Sequence, residues 1–269
     1  MNKIKLFISF FEKDFKERSS YKSQLFVSIF SVLLLTVFLY FFSTQFQFQD
    51  ILNKRIDVFL YMLTGLSLLE YSFSLVSSIG SNLRSLQLVG IYEELLQSRF
   101  SHRFLLISSM SYTFVFSLMR LFFYFLIATI FFNFEIYSFS HILHALLIVF
   151  TSAISFISIS LIGASFVLIF KKPVLFNSIY TYLSLLFCGI IFDVDVWPSA
   201  IAFFSNCLPL THMVDSFRYI FSTEQLSIGY IVQIHIWLIL LGIIYYSLSV
   251  TTLHLSLKRV KKDGTFYSY

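Results

Sequence analysis

Long apolar stretches constrain this chain more than any other feature of its sequence. A transmembrane helix needs about 20 apolar residues to cross roughly 30 Å of hydrocarbon, and its backbone polar groups must all be paired within the helix. Six stretches meet this requirement, at 25–44, 58–80, 104–132, 135–170, 175–192 and 228–252. Because 58% of the residues are hydrophobic and only 12% are charged, the sequence predicts an all-α membrane protein with six transmembrane helices.

The distribution of Lys and Arg predicts how these helices are oriented. Of the 19 Lys and Arg residues, fifteen lie in the N-terminal segment, in the loops after the second and fourth spans, or in the C-terminal tail. The opposite loops hold only Lys54, Arg55 and Arg218. Since positive charge accumulates on the cytoplasmic side, we expect a multi-pass protein of the bacterial inner membrane with both termini in the cytoplasm. We attribute the net charge of +5 to topology and expect no nucleic-acid partner.

The N-terminal segment has its own pattern. In residues 1–22, one helical face carries Ile4, Phe7, Ile8, Phe11 and Phe15, and the other carries charged side chains. This pattern is typical of a helix that lies in the membrane interface; the alternative is a polar flank of the first span. The sequence therefore divides into a cytoplasmic amphipathic helix at 1–22, a six-span transmembrane domain at 23–257 and a basic cytoplasmic tail at 258–269.

A short amphipathic stretch, LVGIYEELLQSRFSHR at 88–103, follows the second span. Its apolar residues recur at the spacing of one helical face, at Leu88, Ile91, Tyr92, Leu95 and Leu96. Glu93 and Glu94 lie on the opposite face. Such a helix can bury its apolar stripe in a partner protein while its carboxylates meet basic residues at the rim. The alternative is a helix that rests on the lipid headgroups.

Two charged residues interrupt the apolar stretches. Glu70 lies near the middle of the second span and Arg120 near the middle of the third, and these two spans are consecutive and antiparallel. A lone charge in lipid costs at least ~2.5 kcal/mol on insertion scales, so we expect the two side chains to pair. The pair either pins two helices together, or it lines the transport path or acts as a conformational latch.

The segment at 193–224, called the hairpin segment below, is too polar for one span and is broken by Pro198 and Pro209. Proline suits the first turn of a helix, and the second half keeps helical spacing at Leu210, Met213, Val214, Phe217 and Phe221. The sequence predicts two short helices that dip toward the membrane from outside, the second packed by its apolar stripe. The serine-rich stretch at 151–165 predicts close approach between helices in the fourth span.

Catalytic and metal-binding patterns are absent from the sequence. None of the eight glycines begins a GxxxxGK[ST] phosphate cradle, and there is no HExxH, CxxC or Ser-His-Asp elbow. If ATP drives this protein, another chain binds it. His141 and His144 have a spacing that can seat a metal, but two histidines alone are weak evidence and we expect no metal. Cys188 and Cys207 form neither a metal pattern nor a disulfide framework.

Four motifs resemble, in order, those of the type-2 ATP-binding-cassette (ABC-2) permease family. GIYEELLQSRFS resembles the cytoplasmic loop before the third span and matches it at Gly90, Glu93, Leu95 and Leu96. Arg99 stands where the family usually has proline. SLMRLFFYFLIATIFF resembles the Arg-containing third span of one branch, and FVLIFKK the cytoplasmic exit of the fourth span. The stretch at 189–221 resembles the segment between spans five and six, which ends in Pro209, Leu210, Thr211, Asp215 and Arg218.

The resemblance implies the permease subunit of an ATP-driven exporter, without a catalytic site or cofactor of its own. It implies that a separate ABC ATPase binds ATP and Mg, and that the permease forms a homodimer or heterodimer of six-span subunits in lipid. The segment at about 82–100 would contain the coupling helix that docks on the ATPase, through Gly90, Ile91, Tyr92, Glu93, Glu94, Leu95 and Leu96. The hairpin segment would form an outer gate around Pro198, Pro209, Leu210, Thr211, Asp215 and Arg218; the alternative is a passive cap.

The sequence is compatible with several classes of transported substrate. We expect an amphipathic, drug-like or lipid-linked substrate that moves out across the plasma membrane. A lipid-linked polysaccharide is the alternative within the same family. A proton-coupled secondary transporter that uses Glu70 is the competing interpretation from a different class, and an assembly or immunity protein without a transport cycle is the third.

Overall fold

The computed structural model describes residues 3–20, 22–45, 58–132 and 138–263, and these ranges contain helices and short connections without a β-strand. The helices are α1 (Lys3–Ser20), α2 (Lys22–Gln45), α3 (Val58–Leu88), α4 (Ile91–Leu96), α5 (His102–Ser108), α6 (Ser111–Phe132), α7 (Phe139–Phe170), α8 (Pro173–Phe187), α9 (Ser199–Asn206), α10 (Pro209–Ser222) and α11 (Ile228–Asp263). Lys54, Arg55 and residues 264–269 of the predicted tail lie outside the described ranges. The all-α membrane class is confirmed.

Five stretches of the described chain are long and apolar enough to cross a membrane: α2, α3, α5 together with α6, α7, and α11. α8 is apolar but has only 15 residues, so it extends about 22 Å and not the ~30 Å of the hydrocarbon core. The predicted span at 175–192 is therefore longer than the helix. Gly189 adopts a φ of 71°, a left-handed conformation that ends the helical path and turns the chain into a 3₁₀ turn at Val194–Val196.

The third span consists of two helices, α5 and α6, joined by a bend at residues 109–110. The Asn82 side-chain amide of α3 donates a 2.6 Å hydrogen bond to the Ser109 carbonyl oxygen at this bend. That bond satisfies a backbone acceptor that the bend frees from the helical ladder. α3 therefore holds the bend within the third apolar stretch.

The core of the bundle forms around α7, which packs chiefly against α11 and α3. Ser155 of α7 donates to the Leu238 carbonyl oxygen of α11 over 3.1 Å, and Ser160 donates to the Val76 carbonyl oxygen of α3 over 2.9 Å. Small hydroxyl side chains allow this close approach because they add little bulk between two backbones. The prediction of close packing from the serine-rich stretch is confirmed.

The hairpin segment folds into the 3₁₀ turn, α9 and α10. Pro198 immediately precedes α9, and Pro209 is the first residue of α10, where its missing N–H has no helical partner to lose. The apolar stripe of α10 is buried against the bundle at Leu210, Met213, Val214, Phe217 and Phe221. α10 packs on α7, α3 and α11 and so belongs to the core.

Candidate functional site

A carboxylate and a guanidinium meet between the second and third spans. Arg120 Nη2 of α6 donates to Glu70 Oε1 of α3, so the two charges that the sequence places in consecutive spans lie in contact. The hydroxyl of Tyr124 donates to the other carboxylate oxygen. Tyr124 was not among the predicted site residues. Its spacing of four from Arg120, which puts both on one face of α6, is the signal that could have found it.

The surroundings of this triad, Glu70, Arg120 and Tyr124, are partly polar. Ser67 and Ser74 of α3 and Ser117 of α6 line the same small cavity. The Glu70 side chain is 32% exposed and that of Arg120 is 21% exposed, whereas Tyr124 is buried. Charges in a membrane protein are stabilised by such pairing and by polar walls. The arrangement therefore neutralises both charges between two spans.

The segment after the second span does not form one continuous helix. α3 runs to Leu88, Gly90 adopts a φ of 80°, and the six-residue helix α4 follows. Glycine is suited to this position because a left-handed φ strains other residues. Leu88 therefore ends α3 and does not extend the stripe of α4, and residues 97–100 are irregular after it. We call residues 89–96 the coupling segment.

The coupling segment has an inward and an outward side. Tyr92 is buried and Leu95 is partly buried against the core, beside Leu86 of α3, Phe10 of α1 and Leu105 of α5. Ile91 and Glu94 are exposed. The stripe that the sequence offered to a partner is thus divided, because Tyr92 and Leu95 are occupied by their own chain. The side chains of Glu93 and Leu96 lie outside the description.

Tyr92 contributes apolar packing and not a polar contact. Its hydroxyl oxygen is buried and has no hydrogen-bond partner among the described residues. Burial raises the pKa of the Tyr92 hydroxyl above its ordinary value, since a phenolate would lose its hydration there. The side chain therefore acts as a neutral aromatic anchor for α4.

The N-terminal helix α1 packs beside the start of the third span. Leu6 is buried, and the rings of Phe11 and Phe15 contact Tyr112 of α6 with centroid distances of 5.8 and 6.4 Å. Ile4, Ile8 and Phe15 are exposed on the described chain. An apolar face that is only partly covered by protein is typical of a helix in the membrane interface.

Arg218 of α10 is the second arginine held within the bundle. It is 5% exposed, its guanidinium carbon lies 3.4 Å from the centre of the Tyr61 ring, and its Nη2 donates to the Tyr61 carbonyl oxygen over 3.2 Å. Asp215 and Asp193 add electrostatic attraction. The Tyr61 hydroxyl donates to the Gly189 carbonyl oxygen over 3.0 Å. Arg218, which the sequence places in a loop, lies in α10, and its side chain joins α3, α10 and the turn after α8.

The other predicted residues of the hairpin segment hold its two helices together. Thr211 Oγ1 donates a 2.6 Å hydrogen bond to the Ser205 carbonyl oxygen of α9. The same carbonyl oxygen also accepts from the Leu208 N–H over 3.0 Å, and the two bonds together fix the tight connection between α9 and α10. Leu210, next to it, is buried in the core. Pro198 and Pro209 begin the two helices and take no part in this contact.

His141 is held by hydrogen bonds, and neither cysteine forms a disulfide. His141 is buried, with Ser138 Oγ 2.9 Å from Nδ1 and the Thr223 carbonyl oxygen 3.0 Å from Nε2. Both cysteines are free thiols. Within the described ranges, no three His, Cys, Asp or Glu side chains come together as a metal site would require.

Comparison with known families assigns this chain to one of them. The profile of the ABC-2 type transporter family matches residues 5–222, which include most of α1, the coupling segment, the triad and all but the last two residues of the hairpin segment. The chain belongs to the ABC-2 type transporter family. No curated protein matches the sequence.

Family membership establishes the general role. This chain is the membrane permease component of an ABC transporter, and such a component works with an ABC ATPase. The five long apolar stretches of the described chain agree with a multi-pass membrane protein. The ABC-2 permease thus has three candidate working parts: the coupling segment, the triad in the membrane and the hairpin segment with Arg218.

Proposed function

We propose that this ABC-2 permease exports an amphipathic, drug-like or lipid-linked substrate, driven by ATP that a separate ABC ATPase binds with Mg and hydrolyses. The observation that carries the proposal is the two-sided coupling segment. Its outward side carries Ile91 and Glu94, which suit the apolar centre and the charged rim of a protein interface. The chain itself has no phosphate cradle, so the nucleotide chemistry belongs to the partner.

The inward side of the coupling segment gives a route for force. Tyr92 and Leu95 contact α1, the end of α3 and α5 through Phe10, Leu86 and Leu105. Closure of the ATPase would move α4, and α4 would move these three helices because close-packed side chains transmit displacement. α3 carries Glu70 and Tyr61 along its length. One push on α4 would thus reach both the triad and the hairpin segment.

The proposed gate lies at the other end of α3. α9 and α10 close the outer end of the transport path, and Arg218 holds them to α3 and to the turn at Gly189. To open the gate, Arg218 must either exchange its contacts for others or move together with α3, α10 and the turn at Gly189 as one rigid unit. Pro198, Pro209, Leu210, Thr211 and Asp215 serve by shaping the two helices and the surroundings of Arg218.

The assembly proposed is a dimer of six-span permeases, identical or different, with two ATPase subunits beneath it. Both termini lie in the cytoplasm of the bacterial inner membrane, and lipid surrounds the assembly. Export of a lipid-linked polysaccharide is the alternative within this function. Proton coupling through Glu70 has less support, because both carboxylate oxygens already accept hydrogen bonds from Arg120 and Tyr124.

Charge reversal at the coupling segment tests this proposal. Glu93→Lys together with Glu94→Lys should leave the permease inserted and folded but weaken ATPase binding by about tenfold or more, roughly 1.4 kcal/mol, because like charges then face each other at the rim. The measurement is copurification with the ATPase subunit, followed by ATP turnover in proteoliposomes.

The matched control is Glu224→Lys, a reversal at an exposed carboxylate beyond α10 and far along the chain from the coupling segment. It should leave ATPase binding unchanged. If the control and the double reversal bind the ATPase equally well, Glu93 and Glu94 have no role in coupling. Full transport by the isolated chain under a proton gradient would instead support the secondary-transporter class.

A further inference from the structure

An apolar groove runs along the lipid-facing side of the bundle between α6 and α7. These helices are consecutive in the chain, yet they hardly contact each other, since α7 packs on α11, α3 and α10 and α6 packs on α3 and α2. The space between them has a volume of about 520 Å³, within the range of small-molecule sites. α10 supplies its floor through Phe217 and Phe221.

The groove has a closed end and an open side. Phe114 of α6 and Phe150 of α7 approach with ring centroids 5.9 Å apart and close it near the middle of the two spans. The floor is buried at Leu121, Ala145 and Val149, whereas the rim residues Phe122 and Leu146 are exposed. The opening therefore faces sideways, into the bilayer that surrounds two membrane-spanning helices.

The length of the groove matches one leaflet. Its lining on α6 extends from Leu118 to Thr129, about 16 Å along the helix axis, which is close to half of the ~30 Å hydrocarbon core. Thr129 is the one polar residue of the lining, and it lies at the end toward the α6–α7 connection. The groove thus spans the leaflet on the side of that connection.

We propose that this groove binds one acyl chain of a membrane phospholipid, with the headgroup at the level of Thr129 and the chain end at the Phe114–Phe150 contact. Water does not fill an apolar groove that opens into hydrocarbon, and a linear chain matches its length and chemistry. Binding comes from dispersion contacts, because lipid tails gain no hydrophobic energy from leaving lipid.

The acyl chain would complete the packing of α10. Phe221 stacks on Phe125 of α6 with centroids 5.1 Å apart, and Phe217 contacts the same ring at 5.8 Å. The outward edges of this aromatic cluster line the groove. A bound chain therefore supports the helix that carries Arg218, and this inference stands independently of the cargo proposed above.

Photocrosslinking tests the site. The full-length permease is reconstituted in vesicles of phosphatidylethanolamine and phosphatidylglycerol, with a fraction of phosphatidylethanolamine carrying a diazirine within one acyl chain. Labelled peptides should come from residues 118–129 and 142–150 in excess over α2, whose apolar face is also exposed to lipid. Equal labelling of α2 and of these two stretches would overturn the proposal.

Two variants fill the groove in different ways. Ala145→Phe enlarges a buried floor residue, and Leu146→Trp enlarges an exposed rim residue, so the second does not depend on repacking the core. Both should reduce the label at 118–129 to the level of α2. The control is Leu147→Phe, on the same helix but outside the lining, which should leave the label unchanged.

A second readout is the thermal midpoint of the purified permease. Delipidation should lower it, added phosphatidylethanolamine should restore it, and Leu146→Trp should make it insensitive to that addition. A lipid response that is the same in Leu146→Trp and Leu147→Phe would contradict the site. So would a protein–protein crosslink formed by a photoreactive side chain placed at position 146, since a protein helix would then cover the groove.

Discussion

Arg120 and Arg218 are both held among the helices of this permease, but different groups hold them. Arg120 donates to the carboxylate of Glu70, and 21% of its side chain is exposed. Arg218 is 5% exposed and lies against the Tyr61 ring while it donates to the Tyr61 backbone. Arg120 is therefore half of a charge pair in direct contact between two spans. Arg218 instead stacks on a ring and donates to a carbonyl group beside a turn, with Asp215 and Asp193 adding electrostatic attraction.

The difference predicts different sensitivity to mutation. A charge pair is neutralised when both members change together, so its loss can be compensated. The planar guanidinium of Arg218 stacks and donates at the same time, and no second substitution replaces both contacts. We therefore expect Arg218 to be the less tolerant of the two arginines. The predictions below test this contrast from the largest expected effect to the smallest.

Removing Arg218 should have the largest effect. Arg218→Leu should lower stability by about 3–5 kcal/mol, because it removes a desolvated cation–π contact and a charged hydrogen bond at once. Arg218→Lys should recover only part of the loss, since an ammonium lacks the planar stacking surface. Thermal unfolding in lipid nanodiscs measures this. Arg99→Leu, at an exposed arginine, is the control, and equal midpoints for the two Leu variants would contradict the prediction.

The charge pair should behave as a coupled unit. Glu70→Gln and Arg120→Gln should each damage stability or transport more than the double change does, because each single variant leaves one uncompensated charge. The coupling energy from a double-mutant cycle should be about 0.5–3 kcal/mol. Additive losses would show that the contact contributes nothing. A recovered fold with transport still absent would assign the pair to the transport path.

The turn beneath Arg218 should tolerate little change. Gly189→Ala should cost about 1–2 kcal/mol, because alanine is strained at a φ of 71° and its Cβ would lie 3.2 Å from Val194 Cγ2. Gly229→Ala is the control, since a Cβ at Gly229 would meet only Ser227 Oγ, at 4.0 Å. Melting midpoints of the two variants in the same nanodiscs give the difference. No difference between them would argue against a strained turn.

The smallest effect should come from the hydroxyl of Tyr124. Tyr124→Phe removes one hydrogen bond to Glu70 but keeps the buried ring. Hydrogen bonds between membrane helices contribute about 0.6 kcal/mol on average, so we expect a loss of that order and folded protein. Tyr182→Phe, at an exposed tyrosine of α8, should be neutral. If Tyr124→Phe loses as much stability as Glu70→Gln does, the hydroxyl of Tyr124 contributes more to the stability of the triad than Arg120 does.

Much of the fold followed from local sequence pattern. Apolar length predicted the membrane spans, and two isolated charges in consecutive spans predicted a contact that the structure contains. The proline positions marked the starts of α9 and α10. These features are readable in one dimension, because a charge in an apolar run or a proline at a helix start acts on its own segment.

Other features escaped the sequence for a physical reason. The break at Gly90 and the inward side of Tyr92 depend on where α1 and α5 lie, and periodicity cannot tell whether an apolar face meets a partner or its own chain. The early end of α8 depends on Gly189, whose neighbours Tyr61 and Arg218 come from distant parts of the chain.

The sequence by itself determined that this chain is an all-helical membrane protein, which residues form most of its spans, and that its loops resemble those of ABC-2 permeases. Only the tertiary structure decided which arginine is paired and which is packed, which side of the coupling segment is free, and that a groove separates α6 from α7. Whether a segment spans the membrane depends on the free energy of transferring that short segment into hydrocarbon. Contacts among the spans are set by packing between residues far apart in sequence, such as Tyr61 and Arg218.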